Sequence, residues 1–147
     1  MGSRFRFVGL VALVAALSAC GSAPVPSGTV HVERHTWGGM CPDGPCGSDL
    51  VVEDDGSWTY SSSDEVGDAS GTLTDSELDA LHTAVADTTV GSESAAAVAC
   101  AADVDDTSVR YAWTFDDDSG AASSCEVVID GGDPLVLYLD ELAASFD

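Results

Sequence analysis

The sequence predicts an α+β domain: an antiparallel sheet of about five strands with two helices on one face, in the order hairpin–helix, hairpin–helix. Three observations carry this. Two pairs of strand-like runs are each joined by a turn rich in aspartate and glycine. Two segments with helical apolar spacing each begin on a capping residue. Four cysteines remain once the N-terminal Cys20 is set aside, an even number suited to two disulfides.

Val30 and Val32 alternate with His31 and Glu33, which suggests a first strand. Trp37-Gly38-Gly39-Met40 is expected to break it and form a loop. Leu50-Val51-Val52-Glu53 and Ser57-Trp58-Thr59-Tyr60 flank Asp54-Asp55-Gly56, a hairpin cue because Asp and Gly tolerate positive φ. A two-residue turn would pair Val51 with Tyr60, and a longer one would shift that register. Residues 61–70 are polar and read as loop, followed by a short strand near Gly71.

Thr74-Asp75-Ser76-Glu77 is a capping box, in which hydroxyl and carboxylate each satisfy an amide that the first helical turn leaves unpaired. Leu78, Leu81 and Val85 follow at helical spacing, so a helix is expected over residues 75–87. The run Ala95-Ala96-Ala97-Val98-Ala99 suggests a helical turn before Cys100. Val109, Tyr111, Trp113 and Phe115 give one strand a large apolar face, and Asp116-Asp117-Asp118-Ser119-Gly120 turns the chain. Cys125, Val127 and Ile129 are expected on one face of the returning strand. Asp133 caps a last helix with Pro134 in its first position, where a missing amide costs nothing. Leu135, Tyr138, Leu139, Leu142 and Phe146 form its apolar stripe.

The first residues set the location. Arg4 and Arg6 precede an apolar run that is too short to span a bilayer, for which about 20 residues are needed. Leu17-Ser18-Ala19-Cys20 then resembles the lipobox of bacterial lipoproteins. The resemblance implies that residues 1–19 are a signal peptide and that Cys20 becomes the N-terminus. It also implies that Cys20 carries acyl chains such as palmitate, which hold the protein on the extracytoplasmic face of the cell membrane. Residues 20–28 are rich in Gly, Ser and Pro and read as a flexible tether, which leaves residues 29–147 as a single domain.

Cleavage would leave Arg34 and Arg110 against 26 acids, a net charge of −24 with no lysine. Nucleic-acid binding is excluded on this balance, because it depends on cations that neutralise phosphate. Adhesion to anionic headgroups is disfavoured for the same reason. A basic protein remains a suitable partner. Outside the cytoplasm thiols oxidise. Four cysteines allow three pairings. The turn-forming insert Pro-Asp-Gly-Pro favours Cys41 with Cys46, leaving Cys100 with Cys125.

Catalytic machinery is not apparent. There is no nucleophile elbow, no His-Glu-x-x-His and no phosphate-cradling glycine loop. No cofactor motif appears. His82 lies beside Leu78 and Leu81 and reads as an edge-of-core residue, and His31 and His35 as strand surface. Zinc would need His31 and His35 with Cys41 and Cys46, a spacing unlike zinc fingers. Asp103, Asp105, Asp106 and Asp116-Asp117-Asp118 are hard-oxygen ligands, but they lack the loop pattern that holds calcium. No catalytic or metal-binding residue is therefore assigned. The most function-like feature is the segment Trp37, Gly38, Gly39 and Met40, an aromatic and a methionine around two glycines, beside a disulfide noose.

The order "VHVERHTWGGM", "LVVEDDGSWTY", "GTLTDSELDALHTAV", "VRYAWTF", "DPLVLYLDELAA" resembles emfourin-type inhibitors of thermolysin-like metalloproteases. That resemblance implies a small non-catalytic binding domain in which Trp37, Gly38, Gly39 and Met40 contact an extracytoplasmic protease. The Cys41–Cys46 insert is an addition to that outline. The competing expectation is an acidic, envelope-associated lipoprotein without a specific site.

Overall fold

The computed structural model describes residues 24–41, 44–63, 67–96, 98–104 and 106–146. Residues 1–19, expected to form a signal peptide, and Cys20 lie outside them. Strands β1 (Val30–Cys41), β2 (Gly44–Val52), β3 (Ser57–Ser62) and β4 (Ala69–Thr72) are followed by helix α1 (Asp75–Asp87). Strands β5 (Thr107–Phe115) and β6 (Asp118–Ser123) then lead to helix α2 (Pro134–Ala144). The six strands form one antiparallel sheet in the order β4-β3-β2-β1-β5-β6. The α+β class with both helices on one face is as expected. The sheet has six strands where about five were expected, because the marginal segment around Gly71 pairs with β3 along its whole length.

Side chains alternate between the two faces of a strand. Val30 and Val32 of β1, Leu50 and Val52 of β2, Tyr60 of β3 and Tyr111 of β5 point to one face. There they join Leu81 and Val85 of α1 and Leu135, Val136, Leu139 and Ala143 of α2 in a single core. Each fully buried leucine contributes about 2 kcal/mol by leaving water. Phe146, just past α2, packs on Trp58 and Tyr60 with ring centroids 4.6 and 4.8 Å apart.

The helix starts are as the sequence predicts. The Thr74 hydroxyl accepts from the Glu77 amide, and the Glu77 carboxylate accepts from the Thr74 amide. Asp133 caps α2 with Pro134 following. The Tyr138 hydroxyl donates to the Glu77 carbonyl at 3.0 Å, tying α2 to α1. Burial, and then the nearby Glu77 charge, push that phenol up to about 12.

Three sequence expectations are corrected, and the β2–β3 register, which the sequence leaves open, is fixed. Trp37-Gly38-Gly39-Met40 does not break β1. The strand continues to Cys41 through an irregularity between Gly38 and Met40, which positive φ of 97° and 71° at the two glycines makes accessible. The β2–β3 turn is longer than two residues. Val51 pairs with Thr59 and Val52 with Trp58, and Gly56 at φ 76° closes the loop. The returning strand β6 stops at Ser123, whose carbonyl accepts from the Glu126 and Val127 amides in a turn. Val127 and Ile129 pack against the core from that irregular segment. The helical turn lies after Cys100, as a short 3-10 helix at Ala101–Val104, and described residues 92–96 and 98–100 are not helical.

Candidate functional site

The β1–β2 hairpin extends past its neighbours. Pairing with β5 ends at Gly38 and pairing with β3 ends at Ser48, while β1 and β2 continue to pair out to Cys41 and Gly44. The Cys41–Cys46 disulfide staples this projecting end. Met40 stands there 79% exposed. The base of the hairpin is held from the side. A side chain at Gly38 would come within 2.3 Å of the Asp106 carbonyl and 2.6 Å of Ala102. Glycine is therefore needed at position 38 for close packing as well as for its φ.

The sheet face opposite the helices carries His31, Glu33, His35 and Trp37 from β1, Asp49 and Val51 from β2 with Glu53 just after it, and Arg110 and Ala112 from β5. Near the start of β5 this face is covered by residues 100–104 and the Cys100–Cys125 disulfide, which bury Ser108 completely. Elsewhere it is a ladder of histidine–carboxylate pairs. His31 Nδ1 lies 2.9 Å from Glu53 and its Nε2 3.0 Å from Glu33. His35 Nδ1 contacts Asp49 at 2.5 Å, and its ring stacks on Trp37 at 5.3 Å. Arg110 lies 3.8 Å from Glu33.

Only an imidazolium donates from both nitrogens at once, so the two carboxylates around His31 favour its charged form. The Glu33 hydrogen bond raises the His31 pKa above 6.5, partial burial opposes this, and Glu53 adds to the rise. Because the folded value is raised, this stabilisation is complete below the unfolded value of 6.5 and is lost as pH rises through the folded one. His31→Gln is therefore expected to lower the urea midpoint more at pH 5.5 than at pH 8.5. An equal shift at both pH values would show that the charge on His31 is not what stabilises this pair of strands.

Arg34, the other arginine among the described residues, points to the helix side. Its Nε donates to Asp140 at 2.7 Å, and the Tyr111 hydroxyl donates to the same oxygen at 2.8 Å. Burial alone would weaken the charge on Arg34, but Asp140 outweighs it and the guanidinium ends above its ordinary value. Burial, with Asp140 adding, pushes the Tyr111 hydroxyl well up.

The remaining candidates occupy structural positions. His82 packs edge-on against Phe115 at 5.8 Å, and its buried Nε2 has no hydrogen-bond partner among the described residues. Asp116 Oδ1 accepts from the Thr29 amide, and Asp106 Oδ1 from the Thr107 amide. Both disulfides are formed, so Cys41 and Cys46 are not thiolate ligands. Among the described residues no group of three or more His, Cys, Asp or Glu is arranged to hold a metal.

The structure brings Trp37 and His35 together with four residues that the sequence does not single out, Gly47, Asp49, Ser61 and Ser63. A groove of about 400 Å³ on the open face is lined by His35, Trp37, Gly47, Asp49, Ser61 and Ser63. Its signal was present only as strand register. Trp37 pairs with Gly47, His35 with Asp49, and Asp49 in turn with Ser61. The chain matches no known family model and no curated protein sequence.

Proposed function

We propose that the protein is a membrane-anchored extracytoplasmic lipoprotein that acts as a non-catalytic binding module through the hairpin of residues 37–46. Inhibition of a thermolysin-like metalloprotease is the sharpest form of this reading. One observation carries it: Met40 stands exposed on a hairpin end that is crosslinked and projects past both flanking strands. A pre-ordered projection loses little conformational entropy when it enters a cleft, so more of its contact energy remains as affinity. The two disulfides support export, since such bonds persist in oxidising compartments. The lipobox-like Leu17-Ser18-Ala19-Cys20 supports the lipid anchor.

The test is peptide hydrolysis by a panel of thermolysin-like enzymes in the presence of purified residues 21–147. Inhibition is expected, and Met40→Asp is expected to raise the inhibition constant at least about tenfold by placing a charge at the buried centre of the contact. Unchanged rates across the panel would remove the inhibitor reading. The competing reading is an acidic envelope-associated lipoprotein without a specific site. It is favoured by the 26 acids. It predicts that every protein retained from envelope extract is released by high salt, because exposed charges are screened.

A further inference from the structure

We propose that the open-face groove beside the hairpin receives an arginine side chain from a basic partner protein. This rests on the binding-module reading and names the chemistry of its partner. The groove is built from two rows of side chains crossing three strands. Trp37, Gly47 and Ser63 form one row; His35, Asp49 and Ser61 form the other. Because Trp37 pairs with a glycine, no β2 side chain stands beside the indole on that side. The Ser63 hydroxyl is tied to the Gly47 backbone, accepting from its amide at 2.7 Å and donating to its carbonyl at 3.1 Å. That bond continues the sheet beyond β3 and forms the far wall. His35 stacks on Trp37 with an interplanar angle of 14° and is itself held by Asp49, so the indole is set by its neighbours.

The contents of the groove select the ligand. An indole face attracts cations more strongly than any other side-chain ring. The Asp49 carboxylate sits in the next row, 59% exposed, with Oδ1 on His35. The nearest fixed cations are committed elsewhere, Arg110 to Glu33 and Arg34 to Asp140. The mature chain carries a net −24. Its field draws positively charged partners and repels acidic ones, while the groove supplies the local discrimination. A planar guanidinium can lie on the indole and donate to the carboxylate and serine oxygens together, whereas a lysine ammonium is a compact, strongly hydrated charge. Arginine is therefore favoured over lysine.

The test uses purified residues 21–147 with both disulfides formed, titrated at 150 mM NaCl with the peptide Gly-Arg-Gly-Arg-Gly. Its lysine counterpart and its citrulline counterpart, which is the same shape without the charge, are titrated alongside. Binding is read by tryptophan fluorescence and by amide NMR shifts. The arginine peptide is expected to bind several-fold more tightly than the lysine peptide and the citrulline peptide to show no saturable binding. Trp37→Ala is expected to weaken the arginine peptide about tenfold, with Trp37→Phe in between as a variant that keeps a ring. Asp49→Asn is expected to weaken it far more than Asp117→Asn, which removes the same charge from the distant β5–β6 turn. Three outcomes overturn the proposal: no saturable binding, equal affinity for arginine and lysine peptides, or equal effects of the two Asp→Asn variants. Neither Met40 nor a protease enters this assay. Arginine binding without protease inhibition would remove the inhibitor reading alone, and inhibition without arginine binding would remove this inference alone.

Discussion

Asp133→Ala is expected to destabilise the protein by about 3 kcal/mol, one of the largest effects of any single polar substitution in the chain. Asp133 is 4% exposed and belongs to two helices at once. As the cap of α2, its Oδ1 accepts from the Leu135 amide at 2.9 Å and the Val136 amide at 3.4 Å. The same carboxylate holds the chain leaving α1. It accepts from the Thr88 hydroxyl at 2.7 Å, the Thr89 amide at 2.7 Å and the Thr89 hydroxyl at 3.0 Å. Losing a cap costs about 1 kcal/mol. Donors left without a partner in a buried site cost about 1–3 kcal/mol each where water cannot reach them. Asp133→Asn keeps one acceptor oxygen and is expected to cost less than half as much.

The pH dependence separates this carboxylate from a mere packing effect. Burial would raise the Asp133 pKa, but the Thr89 amide, the two threonine hydroxyls and the Leu135 amide outweigh it and hold the value below 3.8. With a depressed folded value, the contribution is complete above the unfolded pKa and is lost as pH falls through the folded one. The stability difference between wild type and Asp133→Ala, from urea unfolding, is therefore expected to be constant from pH 5 to 8 and to narrow toward pH 3. A difference that stays unchanged down to pH 3 would show that the charge does not matter and that the loss is one of shape.

Both helices could be located from sequence because their determinants are local. The Thr74–Glu77 box and the Asp133-Pro134 pair each lie within four residues of the helix-start amides they satisfy. The long β1–β2 hairpin was not legible, and the reason is on its inner face. Beyond Val32 the positions facing the helices are Arg34 and Thr36, opposite Leu50 and Ser48. Arg34 is satisfied by Asp140, a residue 106 positions away, and Thr36 bonds the Ser48 hydroxyl at 2.8 Å. Polar groups that are paired across the fold look like loop in a hydrophobicity pattern, although they are partly or fully buried strand. The opposite error occurred at residues 125–129. Apolar alternation there comes from Val127 and Ile129 covering the core edge without joining the ladder. The candidate groove was illegible for a further reason. His35, Asp49 and Ser61 become neighbours only once the registers of two hairpins are fixed. One of those registers turned on whether the Asp54-Asp55-Gly56 loop counted two residues or three.

Removing Cys100–Cys125 is expected to cost more than removing Cys41–Cys46, although the second bond is the one at the proposed contact. Chain entropy gives the first reason. A crosslink restricts the unfolded chain more as the loop it closes grows, and the separations are 25 and 5 residues. The corresponding estimates are about 3.5 and about 2 kcal/mol. Position gives the second. Cys100–Cys125 covers the fully buried Ser108, whose hydroxyl lies 3.4 and 3.3 Å from the two sulfurs and accepts from the Ala102 amide at 2.9 Å. That amide begins the 3-10 segment against which Gly38 packs. A Cys100→Ala/Cys125→Ala protein is expected to lose about 3 kcal/mol by urea unfolding. It should also speed amide exchange through residues 100–108 and at the Gly38 end of the hairpin. A Cys41→Ala/Cys46→Ala protein is expected to lose less than 2 kcal/mol, with faster exchange confined to the projecting end, beyond the pairing of β1 with β5 and of β2 with β3. Equal losses would mean that loop length does not govern these crosslinks. Loss of partner binding in the second protein at nearly full stability would separate the role of the hairpin end from the stability of the body that carries it.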